Sequence, residues 1–169
     1  TVELTGSPSR IANASRLILP GVGAFGDCMA ELRSRDLIGP IQQFLNTDRP
    51  FLGICVGMQL LAERGLEYGT HDGLGWIGGE VRAIETGDPR RKVPHMGWNA
   101  LDVAESPANL FAGIDEGSFV YFVHSYGFVP TDPAHVMATV DYGPTIVAAL
   151  GRDNIVGTQF HPEKSQGVG

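Results

Sequence analysis

Apolar and polar positions along this chain change their period part-way along it. Ser15 to Leu19 reads as a short apolar strand closed by Pro20-Gly21. From Asp27 to Leu45, the residues Leu37, Ile41, Phe44 and Leu45 fall at i, i+4, i+7 and i+8, the spacing of one buried helix face. Gly39-Pro40 interrupts that stretch and predicts two helices in place of one. Phe51–Ile54 reads as a second strand and Val56–Arg64 as a helix. Beyond Gly65 the helical period fades. Gly69, Gly73, Gly75, Gly78 and Gly79 mark loops, and β-type runs follow at Glu80–Ile84, Gly97–Val103, Ser118–His124, Val136–Val140, Thr145–Leu150 and Ile155–Phe160. The pattern predicts an α/β layered domain with a mixed sheet, parallel in its first half and mostly β in its second. Ligands bind such sheets at the C-terminal ends of the parallel strands, so chemistry is expected where the second strand ends.

That strand runs into Gly53-Ile54-Cys55-Val56-Gly57, the G-x-S-x-G elbow spacing with Cys for Ser. A tight strand-to-helix turn lifts the thiol out of the sheet, and the glycines are expected to supply the backbone angles it needs. The positive end of the following helix is expected to lower the thiol pKa and favour the thiolate. Taken alone, the pattern fits a buried cysteine in a glycine-rich loop equally well.

A second segment favours chemistry. In Gln159-Phe160-His161-Pro162-Glu163, Pro162 biases His161 towards an extended conformation. Residues two apart in an extended chain project to the same side, so His161 and Glu163 can approach. A catalytic imidazole needs such a carboxylate to fix its tautomer and stabilise its charged form. Cys55, His161 and Glu163 are therefore the candidate nucleophile, acid–base and orienting group. The backbone N–H of Val56 is a candidate oxyanion donor, and Gln59, four residues after Cys55, falls on the same helix side.

Gly53-Ile54-Cys55-Val56-Gly57-Met58-Gln59 and Gln159-Phe160-His161-Pro162-Glu163-Lys164-Ser165 resemble the class I, triad-type glutamine amidotransferases. Two further segments are similar to the branch of that family serving imidazole glycerol phosphate synthesis in histidine biosynthesis. One is Leu19-Pro20-Gly21-Val22-Gly23-Ala24-Phe25-Gly26. The other is Pro94-His95-Met96-Gly97-Trp98-Asn99, with Tyr121-Phe122-Val123-His124-Ser125-Tyr126 downstream.

The resemblance covers essentially the whole chain. It implies a single flavodoxin-like α/β domain over residues 1–169, with a mixed, centrally parallel sheet flanked by helices. Against the family's pattern, the first strand, its loop and following helix, and a closing C-terminal segment are expected to be missing. The implied activity is hydrolysis of glutamine to glutamate and ammonia through a cysteine thioester, without a cofactor. The implied partner is a cyclase subunit, a (β/α)8 barrel in a heterodimer, which takes up the ammonia. By the same resemblance, Gly21, Val22 and Gly23 complete the oxyanion hole and Gln59, His124, Ser125 and Tyr126 hold glutamine. His95, Met96, Gly97, Trp98, Asn99 and Lys164 would face the partner.

Read from the residues alone, His124 is as well a structural histidine at a strand end, Met96 and Trp98 are core, and residues 20–23 form a plain turn. Cys28 reads as packing, and His71 and His135 carry no assigned role. A glutaminase serving another synthase and a catalytically silent scaffold subunit stand as the alternative functions.

Composition narrows the class further. Hydrophobic residues make up 43% of the 169, enough for a buried core. A formal net charge of −7 argues against a general nucleic-acid surface. Cys28 and Cys55 show neither a disulfide framework nor a CxxC pattern, and the five histidines lack metal-ligand spacing, so no metal is expected. With no signal-like segment and no apolar run of membrane-spanning length, a soluble, reducing, cytoplasmic setting is expected.

Overall fold

The computed structural model describes residues 2–104 and 109–169. Its elements run α1 (Pro8–Asn13), β1 (Leu17–Gly21), α2 (Phe25–Ser34), α3 (Ile38–Leu45), β2 (Phe51–Cys55) and α4 (Val56–Gln59). The strands that follow are β3 (Arg64–Gly65), β4 (His71–Asp72), β5 (Gly79–Ala83), β6 (His95–Ala100), β7 (Asp102–Val103), β8 (Phe119–His124) and β9 (Tyr126–Pro130). The last are β10 (Val136–Asp141), β11 (Thr145–Arg152) and β12 (Ile155–Thr158), with a 3₁₀ turn at Pro162–Lys164.

A six-stranded mixed sheet in the order β1-β2-β12-β11-β10-β7 forms the frame. The strands β1, β2 and β12 are parallel, and β11 and β10 continue the sheet antiparallel. Phe51, Gly53 and Cys55 of β2 are buried and Leu52 and Ile54 half-buried, as befits a strand covered on both faces. Register matters most at the ends of the parallel strands. Gly21 pairs with Cys55, and Thr158 with Ile54, so all three parallel strands end at one level. The loop after β1, the turn after β2 and the segment after β12 therefore converge. A four-stranded sheet (β4-β3-β5-β9) and a two-stranded ribbon (β6-β8) enclose that edge.

Two apolar clusters divide the interior. One joins the helices to β2 and contains Phe25, Met29, Ile41, Phe44 and Met58. The other lies on the antiparallel side and contains Val120, Phe122, Met137, Ala149 and Phe160. Leu37, Ile41, Phe44 and Leu45 are all buried, as their spacing predicts.

The sequence reading misplaces several boundaries. The break between the second and third helices falls at residues 35–37, where Asp36 adopts φ 53°, and not at Gly39-Pro40. Pro40 sits in the first turn of α3, where a missing N–H breaks no intrahelical bond. The helix after Cys55 spans only Val56–Gln59, not Val56–Arg64. Beyond Ala62 the backbone is taken by a sheet: Glu63 N–H donates to the Gly79 carbonyl at 3.0 Å, and Arg64 pairs with Glu80. The helix α1 and strand β9 have no counterpart in the sequence reading. Among the described residues, no helix is long and apolar enough to cross a membrane, and no cluster of three or more His, Cys, Asp or Glu can hold a metal ion.

Candidate active site

The turn at Cys55, the candidate nucleophile, is built by close backbone approach. A Cβ on Gly57 would lie 1.9 Å from the Leu19 carbonyl oxygen, and one on Gly53 would lie 2.6 Å from the Gly57 carbonyl oxygen. Both glycines have ordinary backbone angles, against the sequence expectation. It is Cys55 itself that takes a positive φ, 54° with ψ −114°, outside the allowed regions for a residue with a Cβ. A non-glycine residue held there stores strain, and such strain clusters at functional positions. Gly21 packs against the same turn: its Cβ would sit 2.8 Å from the Gly57 nitrogen and 2.9 Å from the Val56 Cβ.

Cys55 lines a cavity of about 350 Å³ together with Val22, Gly23, Val56, Gln59, Glu67, Pro94, Val123, His124, Ser125, Tyr126, His161 and Lys164. Burial pushes the Cys55 thiol above its ordinary value, and the Val56 N–H and the Lys164 charge offset this only in part. The sequence expectation of a lowered thiol value is therefore corrected: burial, the largest cause acting on Cys55, raises it. Cys55 rests as a thiol and needs a base.

His161 supplies the imidazole. It is extended (φ −98°, ψ 99°), and its N–H donates to the Tyr121 carbonyl of β8 at 3.0 Å. The chain then enters the 3₁₀ turn Pro162–Lys164 rather than continuing extended. That turn brings Glu163 Oε1 to 2.8 Å from His161 Nδ1. Burial works against the Glu163 carboxylate, but the His161 hydrogen bond and the Lys164 charge outweigh it and hold its carboxyl below the usual value. With Nδ1 engaged, Nε2 is the free nitrogen of His161. Buried Ser165 fixes the turn: its Oγ donates to the His161 carbonyl at 2.7 Å and accepts the Tyr121 N–H at 3.1 Å.

The other expected residues divide. Val22 and Gly23 reach the cavity, Gly21 packs behind them, and the Val22 carbonyl accepts the Cys28 thiol at 3.5 Å. Gln59, Ser125 and Tyr126 line the cavity, but the Ser125 carbonyl already accepts the Ile84 N–H. His124 is buried with both ring nitrogens engaged, Nε2 by His95 at 3.0 Å and Nδ1 by the Tyr126 carbonyl at 2.8 Å. Neither ring nitrogen is free for a ligand, although the residue lines the cavity. Met96 and Trp98 are 60% and 45% exposed, not core, whereas His95 on the same strand is 2% exposed and offers its side chain to no outside surface. Gly97 and Asn99 are half-buried, and Lys164 Nζ lies 4.0 Å from Glu163 Oε1 at the cavity edge.

Three contributors escaped sequence reasoning. Glu67 lies in the glycine-punctuated stretch read only as loop, and its Oε2 accepts the Phe25 N–H at 2.7 Å. Gln159 is fully buried, with Nε2 3.7 Å from the Cys55 sulfur. Ser165 is the third. Glutamines and serines in loops carry no periodic signal that singles them out.

A strained thiol and a carboxylate-held imidazole on one cavity, at the C-terminal edge of parallel strands, are the arrangement that a thiol hydrolase of the triad type uses. Residues 3–169 match the class-I glutamine amidotransferases, and the chain belongs to that family. It is 54% identical to the imidazole glycerol phosphate synthase subunit HisH of Rhodospirillum rubrum, over 99% of this chain and 79% of that protein. It is 56% identical to the HisH subunit of Rhodopirellula baltica, over 99% of this chain and 80% of that protein. A solved glutamine amidotransferase shares the fold, with a TM-score of 0.69 and 17% identity over 94% of this chain and 76% of that one.

Proposed function

We infer that this chain is the glutaminase subunit of an imidazole glycerol phosphate synthase, acting in histidine biosynthesis. Among structural features, one carries the chemistry: His161, held by Glu163, lines the same cavity as Cys55. His161 Nε2 takes the Cys55 proton as sulfur attacks the carboxamide carbon of glutamine. The developing oxyanion is met by the Val56 N–H and by the Val22–Gly23 backbone, each good donor contributing about 3–4 kcal/mol. His161 returns the proton to the departing nitrogen, and ammonia leaves behind a γ-glutamyl thioester. A water molecule deprotonated by His161 then hydrolyses the thioester to glutamate. Glu163 holds the imidazole in the Nδ1–H tautomer and stabilises its charged form. Glu67 on the cavity wall supplies a negative charge suited to the substrate's α-ammonium, and Gln59 shapes the floor through its own hydrogen bonds.

Ammonia is useful only if it reaches its acceptor before water protonates it. Docking onto a cyclase of (β/α)8 form, with Met96 and Trp98 at the contact, meets that need. Aromatic residues and Met are enriched in such surfaces. The test is glutamate release from glutamine by this chain mixed with such a cyclase and its nucleotide ligand, beside Cys55→Ala. Turnover that requires both Cys55 and the cyclase is expected. A folded, cyclase-bound chain that releases no glutamate would overturn the reading in favour of a silent scaffold.

A further inference from the structure

The buried histidines left over by the mechanism belong to one hydrogen-bonded run that ends on the nucleophile. Asn99 Nδ2 donates to His95 Nε2 at 3.3 Å, and His95 Nδ1 meets His124 Nε2 at 3.0 Å. His124 Nδ1 donates to the Tyr126 carbonyl at 2.8 Å. The same carbonyl accepts Gln59 Nε2 at 3.0 Å, and that Nε2 also donates to Gln159 Oε1 at 2.9 Å. Gln159 Nε2 then reaches the Cys55 sulfur at 3.7 Å.

The donors and acceptors fit together in only one way. The Tyr126 carbonyl can only accept, so His124 must carry its proton on Nδ1 and accept at Nε2. His95 must then donate from Nδ1, which leaves its Nε2 to accept from Asn99. Each histidine is thus confined to a single neutral tautomer. A proton added to His124 Nε2 would point one donor at another. Packing holds the geometry: the His95 ring stacks on Phe122 at 4.7 Å and lies 4.1 Å from the Tyr142 ring.

We propose that this run is a positioning strut, in which His95 and His124 fix the Tyr126 carbonyl and, through Gln59, hold the Gln159 amide against the Cys55 sulfur. Gln159 then stabilises negative charge on that sulfur, which burial otherwise opposes. The strut starts on β6, whose opposite face shows Met96 and Trp98, so it also ties that exposed face to the nucleophile. The tie to catalysis rests on the glutaminase reading; the tie to the sulfur does not.

The experiment separates the two. The rate of Cys55 alkylation by iodoacetamide is followed against pH without glutamine, with label on Cys55 counted by peptide mass. The charged or titratable groups that act on this sulfur are Lys164, Glu163 and Cys28, and those that share its cavity are His124, Tyr126, His161 and Glu67; all are kept. His95→Phe keeps the stacking and cuts the run, whereas His95→Asn keeps an amide N–H near Nδ1.

His95→Phe is expected to move the alkylation midpoint to higher pH and to lower kcat for glutamine about 10-fold to 100-fold, the scale of a small misplacement at a reacting group. KM is expected to change less than kcat, since the run ends on the sulfur through Gln159 while only its middle members Gln59, Tyr126 and His124 also line the substrate cavity. His95→Asn should retain most of both properties. Gln159→Leu, at the other end, should reproduce the His95→Phe shift and decides the matter if His95→Phe does not fold. An unchanged alkylation profile in both apolar variants overturns the strut, as does an Asn variant as impaired as the Phe variant. A wild type that alkylates normally but releases no glutamate with the cyclase overturns the glutaminase reading instead.

Discussion

Two regions of this molecule hold buried imidazoles and put them to opposite use. In the turn after β12, His161 sits against a carboxylate and keeps Nε2 free. In the β6–β8 ribbon, His95 and His124 sit against each other and against neutral groups, with every ring nitrogen engaged. Burial lowers the pKa of both ribbon histidines from 6.5 to about 4. No carboxylate in that pair's network offsets the cost of charging them. The difference teaches that a histidine's neighbours decide its role: a carboxylate makes it able to carry a proton through a reaction, and a neutral partner makes it a rigid connector.

The sharpest way to break the contrast is to remove the imidazole proposed to move the proton. His161→Asn is expected to lower kcat by about 10⁴-fold, as loss of a triad member does, measured as glutamate release in the presence of the cyclase. Glu163→Gln leaves the ring but removes the charge that steadies its protonated form, and a fall of about 10²-fold is expected. A Gln variant with undiminished kcat would place Glu163 outside the reaction.

The ribbon should answer to acid instead. Its histidines have folded values below their unfolded ones, so the unfolded chain binds more protons between about pH 4 and about pH 6.5. Their contribution to stability is therefore complete above the unfolded value and is lost as pH falls towards the folded one. By linkage, one such histidine makes the fold about 2 kcal/mol less stable at pH 5 than at neutral pH. Denaturant unfolding at the two pH values measures it, and His95→Phe should flatten the dependence. If the slope is the same in that variant, the acid response belongs elsewhere.

The smallest expected effect lies on the ribbon's outer face. Trp98→Ala should weaken cyclase binding by about 1–2 kcal/mol, read by titration calorimetry, as for an aromatic anchor at a contact. Unchanged affinity would remove β6 from the docking surface.

Much of this was legible in the chain before any fold was known. The apolar face of Leu37, Ile41, Phe44 and Leu45 is local and periodic, so spacing alone found it. The candidate nucleophile Cys55 and the His161–Glu163 pair stood out because their motifs are contiguous and their chemistry is constrained over a few residues. The class of catalyst was therefore determined by the sequence itself.

The tertiary structure decided what depends on distant neighbours. The four-residue limit on α4 comes from Glu63 and Arg64 being captured by β5. The raised Cys55 thiol comes from burial, which outweighs the lowering effects of the Val56 N–H and Lys164. Gly53 and Gly57 are required because backbones meet there, and not for their angles. Gln159, 104 residues from Cys55 along the chain, reaches its sulfur only because β2 and β12 lie side by side. Residue type and local spacing specify which chemistry is possible. Burial and long-range pairing set the protonation state and position of each group, and those are properties of the assembled sheet.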